Sequence, residues 1–373
     1  MALFLGLISG TSMDGIDAAL VEIGDTGIVP GACRMRPYPP KLRARLERLV
    51  HDDRLDSIAE LGRLHSAVGR AFAEAALELL REAGVAPQEV SALGSHGQTI
   101  GHAPYGDEPF SLQLGDPSAI AFFTGIKTVA DFRTKDIAAG GQGAPLVPPF
   151  HEAFFRRHGK SLAVVNVGGI ANVTLFPADR DRPVLAFDCG PGNTLMDLWC
   201  RSEYGAEQDA GGSWAASGAP DPTLLATLLK DPYFALPPPK STGRDYFHSG
   251  WIKSALEAHG DASALSAANV QATLAELTAC TIASAIVAHL PDARDVIVCG
   301  GGAHNTYLMT RLRCALPKTT VETTASRGLD PDFVEAVAFA WLAYRRINGL
   351  AGNLPTVTGA RRPVIMGGVY SPK

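Results

Sequence analysis

Apolar and polar positions along the chain fall into two periods. Short, nearly unbroken apolar runs at 4–8, 18–23, 90–95, 126–130, 161–167, 173–176, 184–186 and 296–298 have the length and composition of strands buried in a sheet. Elsewhere the apolar step lengthens to three and four residues. Leu61, Leu64, Val68, Phe72, Ala75 and Leu79 make one such stripe, predicting a helix over 58–84 that ends at Gly84. Further helices are predicted over 117–124, from Thr194 and from about Thr306, and the stretch 96–113 reads as a long loop. The most apolar later segment, 272–290, carries Glu276, His289 and several threonines, so it reads as a buried core helix and not as a membrane span. Strands alternating with helices, in a second half that coarsely repeats the first, predict an α/β protein.

Glycine marks the strand ends. Gly10, Thr11, Ser12, Met13, Asp14, Gly15, Ile16 and Asp17 lie between the first two strands. Glycines there let backbone N–H groups approach an anion, Thr11 and Ser12 add hydroxyls, and Asp14 and Asp17 offer carboxylates to a metal-bound polyphosphate. Taken alone, this block reads first as a polar hairpin turn. Three more glycine turns follow strands: one holds Gly168, Gly169 and Asn172, one follows Asp188, and one holds Gly300, Gly301, Gly302 and Asn305. A strand, a glycine turn and a helix make a generic anion or ribose site, whereas a glycine turn between two strands, twice in one chain, is rarer. No P-loop lysine follows the first turn and no G-x-G-x-x-G opens a helix after the first strand, which argues against a P-loop NTPase and a dinucleotide-binding dehydrogenase.

Strings spread over nearly the whole chain resemble those of the anhydro-N-acetylmuramic acid kinase family, within the actin-like ATPase and sugar kinase superfamily. They are residues 10–17, 94–99, 130–133, 140–148, 187–193, 239–244 and 335–341; Asp245 stands where that family is expected to carry Glu. The resemblance implies a two-domain actin-like ATPase (ribonuclease H-like) fold, with mixed sheets flanked by helices around a central cleft. The domains are expected at 1–135 and 136–347, with a C-terminal helix over about 348–373 packing back on the first.

It also implies ATP and Mg²⁺, with Asp14 either touching the metal through water or serving as a turn carboxylate. Residues 10–17 with Gly168, Gly169, Asn172, Gly300, Gly301, Gly302 and Asn305 are expected to hold the nucleotide, and His96, Gln98, Thr99, Asp131, Arg133 and Glu335 the amino sugar. Asp188 is the expected base, at a strand end beside a glycine turn; the alternative is an aspartate capping that turn. Arg133 can grip the lactyl carboxylate of a muramic acid by two N–H groups, or else make a surface ion pair. Lys240 and Arg244 read as a solvated basic turn, and His65, His151 and His304 as structural. Two rivals stay open: an ordinary sugar kinase of the same fold, and a nucleotide-switched protein like actin or the Hsp70 ATPase module.

Composition changes this picture little. A net charge of -5 over 373 residues, without a long basic run, argues against nonspecific nucleic-acid binding. Six cysteines without C-x-x-C or zinc-type spacing predict reduced thiols. No basic n-region precedes the first strand, so it does not read as a signal peptide, and a cytoplasmic enzyme of small molecules without a membrane partner is expected. Monomer and homodimer both stay open.

Overall fold

The computed structural model describes residues 1–10, 12–51, 57–260 and 265–373. Strands run in chain order as β1 (Ala2–Ser9), β2 (Gly15–Gly24), β3 (Gly27–Pro37), β4 (Val90–Ala103), β5 (Phe110–Leu114), β6 (Thr128–Ala130), β7 (Leu162–Val167), β8 (Ile170–Phe176), β9 (Leu185–Pro191), β10 (Asp295–Cys299), β11 (Thr320–Thr323) and β12 (Gly368–Tyr370). They form two sheets. One has the order β12-β6-β4-β1-β2-β3, with β5 on β4; the other is β11-β10-β7-β8-β9. In each, an antiparallel meander (β1-β2-β3, β7-β8-β9) is extended by two strands parallel to its first (β4 and β6, β10 and β11). The repeat read in the sequence is therefore a repeat of topology.

Each sheet belongs to its own unit, residues 1–154 with 333–373 and residues 155–332. These divisions differ from those expected at 135 and 347. Residues 136–154 stay with the first unit because the fully buried Asp136 accepts from Asn353 Nδ2 at 2.7 Å, Thr358 Oγ1 at 2.8 Å and Gly143 N at 2.8 Å, tying the segment to the C-terminal stretch. Helix Val334–Ile347 also belongs there, lying against β1, β2 and β4. Two glycines set its approach: a Cβ on Gly6 or Gly94 would overlap the backbone carbonyl of Ala336 or Phe339, so the helix rests directly on the strands.

No helix spans 348–373. Gly349, Gly352, Gly359, Gly367 and Gly368 with Pro355 and Pro363 disfavour one, and only Pro355–Thr358 is helical before β12 adds antiparallel to β6. Nor is 96–113 a long loop. It is the outer part of β4 turning back into β5, and its polar side chains bond across the hairpin, His102 Nδ1 with Ser111 Oγ at 3.0 Å and Gln113 Nε2 to Thr99 Oγ1 at 3.2 Å. That pairing sustains a strand without apolar alternation.

Helix Ile58–Ala83 ends at Gly84 in the left-handed conformation and buries Leu64, Val68, Phe72 and Leu79 in the first core. The apolar helix Ala267–His289 is long enough to cross a membrane, but it is mostly buried in the second core, with Leu274, Leu277, Ile282 and Ile286 fully covered. All six cysteines are free thiols.

Candidate active site

In the first unit, Gly15, Ile16 and Asp17 are paired in β2, which shortens the predicted phosphate turn to 10–14; Thr11 lies outside the described residues. Met13 donates its N–H to Gly10 O at 3.1 Å and holds a left-handed φ of 55° with its side chain buried, so apolar anchoring sustains the strained turn. Asp14 is exposed and pairs with Arg43 at 3.3 Å. Gln98 is not available to a sugar in this arrangement. Its Oε1 accepts from Ser9 Oγ at 2.7 Å and its Nε2 donates to Gly10 O at 3.2 Å, so the buried amide braces the turn from the neighbouring strand.

Two residues earlier on β4, His96 is buried beneath Phe339, ring centroids 4.7 Å apart. Its Nδ1 lies 3.0 Å from Gly97 O, and its Nε2 accepts from Arg133 Nε at 3.0 Å and Nη2 at 2.8 Å. Burial first, then the Arg133 charge, hold its pKa well below the ordinary imidazole value, so the ring is neutral, with its proton on Nδ1. Arg133 also donates Nη1 to Gly143 O at 2.6 Å, which uses three of the five N–H groups of a guanidinium and leaves two. Burial lowers its pKa to about 10, opposed by the charges of Glu335 and Asp136.

Glu335 is exposed in the first turn of helix Val334–Ile347. Asp131, exposed, takes a left-handed φ of 60° and accepts from Thr134 Oγ1, while Thr99 is held by Gln113. Arg133 is thus joined to His96 by hydrogen bonds and to Glu335 by charge, whereas Gln98 belongs with the turn at residues 10–14.

In the second unit, the Gly168 and Gly169 turn joins β7 to β8. Its carbonyls accept from Gly192 N (2.9 Å), Asn193 N (2.8 Å) and Thr194 N (3.1 Å), which knits it to the turn after Asp188. Gly190 and Pro191 are still in β9, so that turn is shorter than its glycines implied. Asn172 on β8 is paired with Asn166 on one side and Asp188 on the other. The Gly300, Gly301 and Gly302 turn is fixed by Gly300 N donating to Pro331 O at 2.9 Å, and Asn305 Oδ1 caps helix Thr306–Ala315 through Leu308 N at 2.9 Å.

Asp188 sits within β9, and its carboxylate does not cap the following helix. Oδ2 accepts from Thr242 N at 3.0 Å, and its carbonyl accepts from Tyr233 Oη at 2.8 Å. Burial raises its pKa to about 6, against the pull of the Thr242 N–H. The sequence singles out the loop carrying Thr242 without giving it a role at Asp188, and Lys240 is no solvated turn residue. Its Nζ donates to Tyr233 O at 3.1 Å and Phe234 O at 3.2 Å and lies 4.7 Å from the Tyr233 ring centre. The available signal was the string of residues 237–239, three prolines rigidifying the approach to Lys240. His65, accepting from Gly115 N at 3.2 Å, and His304, 2.9 Å from Asp332, have structural partners.

The whole-chain comparison shows the family. The profile described as anhydro-N-acetylmuramic acid kinase matches residues 2–372. The chain belongs to this family. A relative of that name from Xanthomonas campestris pv. campestris (strain 8004) is 52% identical over 377 residues, covering 99% of this chain and 97% of its own. The anhydro-N-acetylmuramic acid kinase of Coxiella burnetii (strain Dugway 5J108-111) is 46% identical over 367 residues, covering 98% and 97%.

Among solved structures, the (R)-2-hydroxyglutaryl-CoA dehydratase component A of Acidaminococcus fermentans gives a TM-score of 0.51 at 10% identity over 93% of this chain and all (100%) of that one. The ADPNP-bound activator of 2-hydroxyisocaproyl-CoA dehydratase from Clostridium difficile gives 0.50 at 12% identity over 93% and 96%. These likenesses show the fold, the actin-like ATPase fold expected from the sequence.

Proposed function

We propose that the chain is an ATP-dependent kinase that hydrolytically opens 1,6-anhydro-N-acetylmuramic acid and phosphorylates O6, giving N-acetylmuramic acid 6-phosphate and ADP. The observation that carries this reading is Asp188, a carboxyl raised to about 6 and fixed by Thr242 N–H at 3.0 Å in the unit that also presents the Gly168 and Gly169 turn. A base with a pKa just below neutrality is ionised at work yet can still take a proton.

Asp188 removes a proton from water as the water oxygen bonds to C1. The C1–O6 bond breaks, O6 takes the γ-phosphoryl group, and ADP departs with the electrons of the broken P–O bond. A glycosidase would need a second carboxylic acid to protonate the leaving oxygen. Here phosphorus receives it instead, so one carboxylate suffices.

The two remaining N–H groups of Arg133 suit the lactyl carboxylate of the sugar, and neutral His96 holds the guanidinium in place without competing for the anion. Asp14, exposed and paired with Arg43 at 3.3 Å, is the carboxylate that would meet, through water, an Mg²⁺ arriving on the phosphates of ATP. That ion would supply positive charge to offset the charge of the phosphates. An amino-sugar phosphate product fits the recycling of peptidoglycan fragments in the bacterial cytoplasm.

The test is ADP release against a panel of free and anhydro amino sugars, with turnover run in isotope-labelled water. The proposal expects release with the anhydro sugar, one label at C1 and none in the transferred phosphoryl group. Label in the phosphoryl group, or equal turnover of a free hydroxyl sugar without C1 label, overturns it.

A further inference from the structure

Within the 239–244 string, Lys240 and Thr242 hold Asp188, whereas Arg244 makes no bond to it. Residues 240–244 are bonded to β9 at two points, Asp188 N to Lys240 O at 3.1 Å and Thr242 N to Asp188 Oδ2 at 3.0 Å. Two residues further on, the chain delivers the Arg244 guanidinium onto the Gly168 and Gly169 turn. A Cβ built on Gly169 would stand 3.1 Å from Arg244 Nε, 3.2 Å from Nη2 and 2.8 Å from Thr194 Oγ1, so the absence of a side chain at 169 is what admits both groups.

Neither group has a partner there. Arg244 makes no hydrogen bond or ion pair with any described residue; its charge is felt by Asp197 without a bond forming. Thr194 is only 8% exposed, and its hydroxyl has no hydrogen-bond partner. The backbone carbonyls of the turn are already satisfied by the N–H groups of residues 192–194, so they offer the arginine nothing. A cation and a buried hydroxyl, both with unused donors, converging on a glycine turn make a receptor for a multiply charged oxyanion.

We infer that Arg244 and Thr194 together bind the phosphoryl group in flight between ADP and O6. This rests on the kinase reading above. As the P–O bond to ADP breaks and the bond to O6 forms, Arg244 donates its free N–H groups and Thr194 its hydroxyl to the equatorial phosphoryl oxygens; neither gives up its proton. The loop that clamps the base thereby also carries the cation for the phosphate, which fixes the spacing between the two.

The experiment compares wild type with Arg244→Ala, Arg244→Lys and Thr194→Val. Sugar-dependent ADP release by wild type is measured first, because its absence would fail the kinase reading and not this inference. Arg244→Ala is expected to lower kcat by about 10³-fold, with ADP affinity and thermal midpoint close to wild type and turnover partly restored by added guanidinium. Arg244→Lys, a point charge without the fork, recovers only part of the loss, and Thr194→Val loses about tenfold. By calorimetry, wild type binds ADP with aluminium fluoride more tightly than ADP alone when sugar is present, and Arg244→Ala loses that difference. Unchanged kcat in Arg244→Ala, or a loss accounted for by weakened ADP binding or a lowered thermal midpoint, overturns the inference.

Discussion

Asp188 and Thr242 are joined by a hydrogen bond from the Thr242 backbone N–H to Asp188 Oδ2 at 3.0 Å, across 54 positions of sequence. A backbone donor cannot rotate away, so the carboxylate is held in one orientation while burial keeps its proton affinity high. Orientation and basicity are thus set by different parts of the fold.

Asp188→Asn keeps the shape and the Thr242 contact but cannot accept a proton. Turnover of the anhydro sugar is expected to fall by at least about 10²-fold while nucleotide binding persists. A rate near wild type would remove Asp188 from the role of base.

The same substitution has an opposite effect on stability. The folded-state pKa of Asp188 lies at about 6, above its ordinary 3.8. The protonated group therefore favours the folded state fully below the ordinary value, and that contribution is lost as pH rises through 6. Above it, the ionised carboxylate costs about 3 kcal/mol. Asp188→Asn should melt above wild type near pH ~8, and the gap should close near pH ~4. A variant less stable than wild type near pH ~8 would show that the carboxylate is not held against a desolvation cost.

Gln98 joins Ser9 Oγ and Gly10 O, and replacing it unties the turn at residues 10–14, proposed to hold phosphate, without touching Arg133. Gln98→Ala is expected to raise the KM for ATP by about tenfold, in line with one to two lost buried hydrogen bonds, and to leave the KM for sugar within about twofold. The reverse pattern would return Gln98 to the sugar site.

Lys240 ties its loop to the end of helix Pro232–Ala235. Lys240→Met preserves length and apolar bulk but loses both bonds to carbonyls. About 1–2 kcal/mol of stability should be lost, and kcat should fall with ADP affinity unchanged, as Thr242 loosens from Asp188. Wild-type kcat in a destabilised variant would separate the loop's anchoring from its catalytic use.

Much of this was legible in the sequence. Strands show as apolar runs because both faces of a central strand are buried, and glycine turns show because the backbone requires them; hence β1, β7, β10 and helix Pro117–Thr124 agree with their predictions to within two residues. What failed was decided by distant partners. The outer part of β4 looks like a loop because His102 and Thr99 bond to residues of β5 instead of burying apolar surface.

Gln98 resembled a sugar ligand because its string is family-specific, yet only the parallel pairing of β4 with β1 shows that it faces Gly10. Lys240 looked solvated because nothing local reveals the carbonyls of Tyr233 and Phe234 as its acceptors. The unit boundary was misread because Asp136 finds Asn353 and Thr358 more than two hundred positions away.

The second unit is contiguous, whereas the first is assembled from residues 1–154 and 333–373. During synthesis, residues 155–332 therefore leave the ribosome with every strand of their sheet in hand, while the first sheet still lacks β12 and the helix that covers Gly6 and Gly94. The portion translated first is the portion completed last. Until residues 334–347 emerge, the face of β1 and β4 destined for helix Val334–Ile347 stays uncovered, and premature termination before that helix would leave a nascent chain with a finished second unit and an aggregation-prone first one.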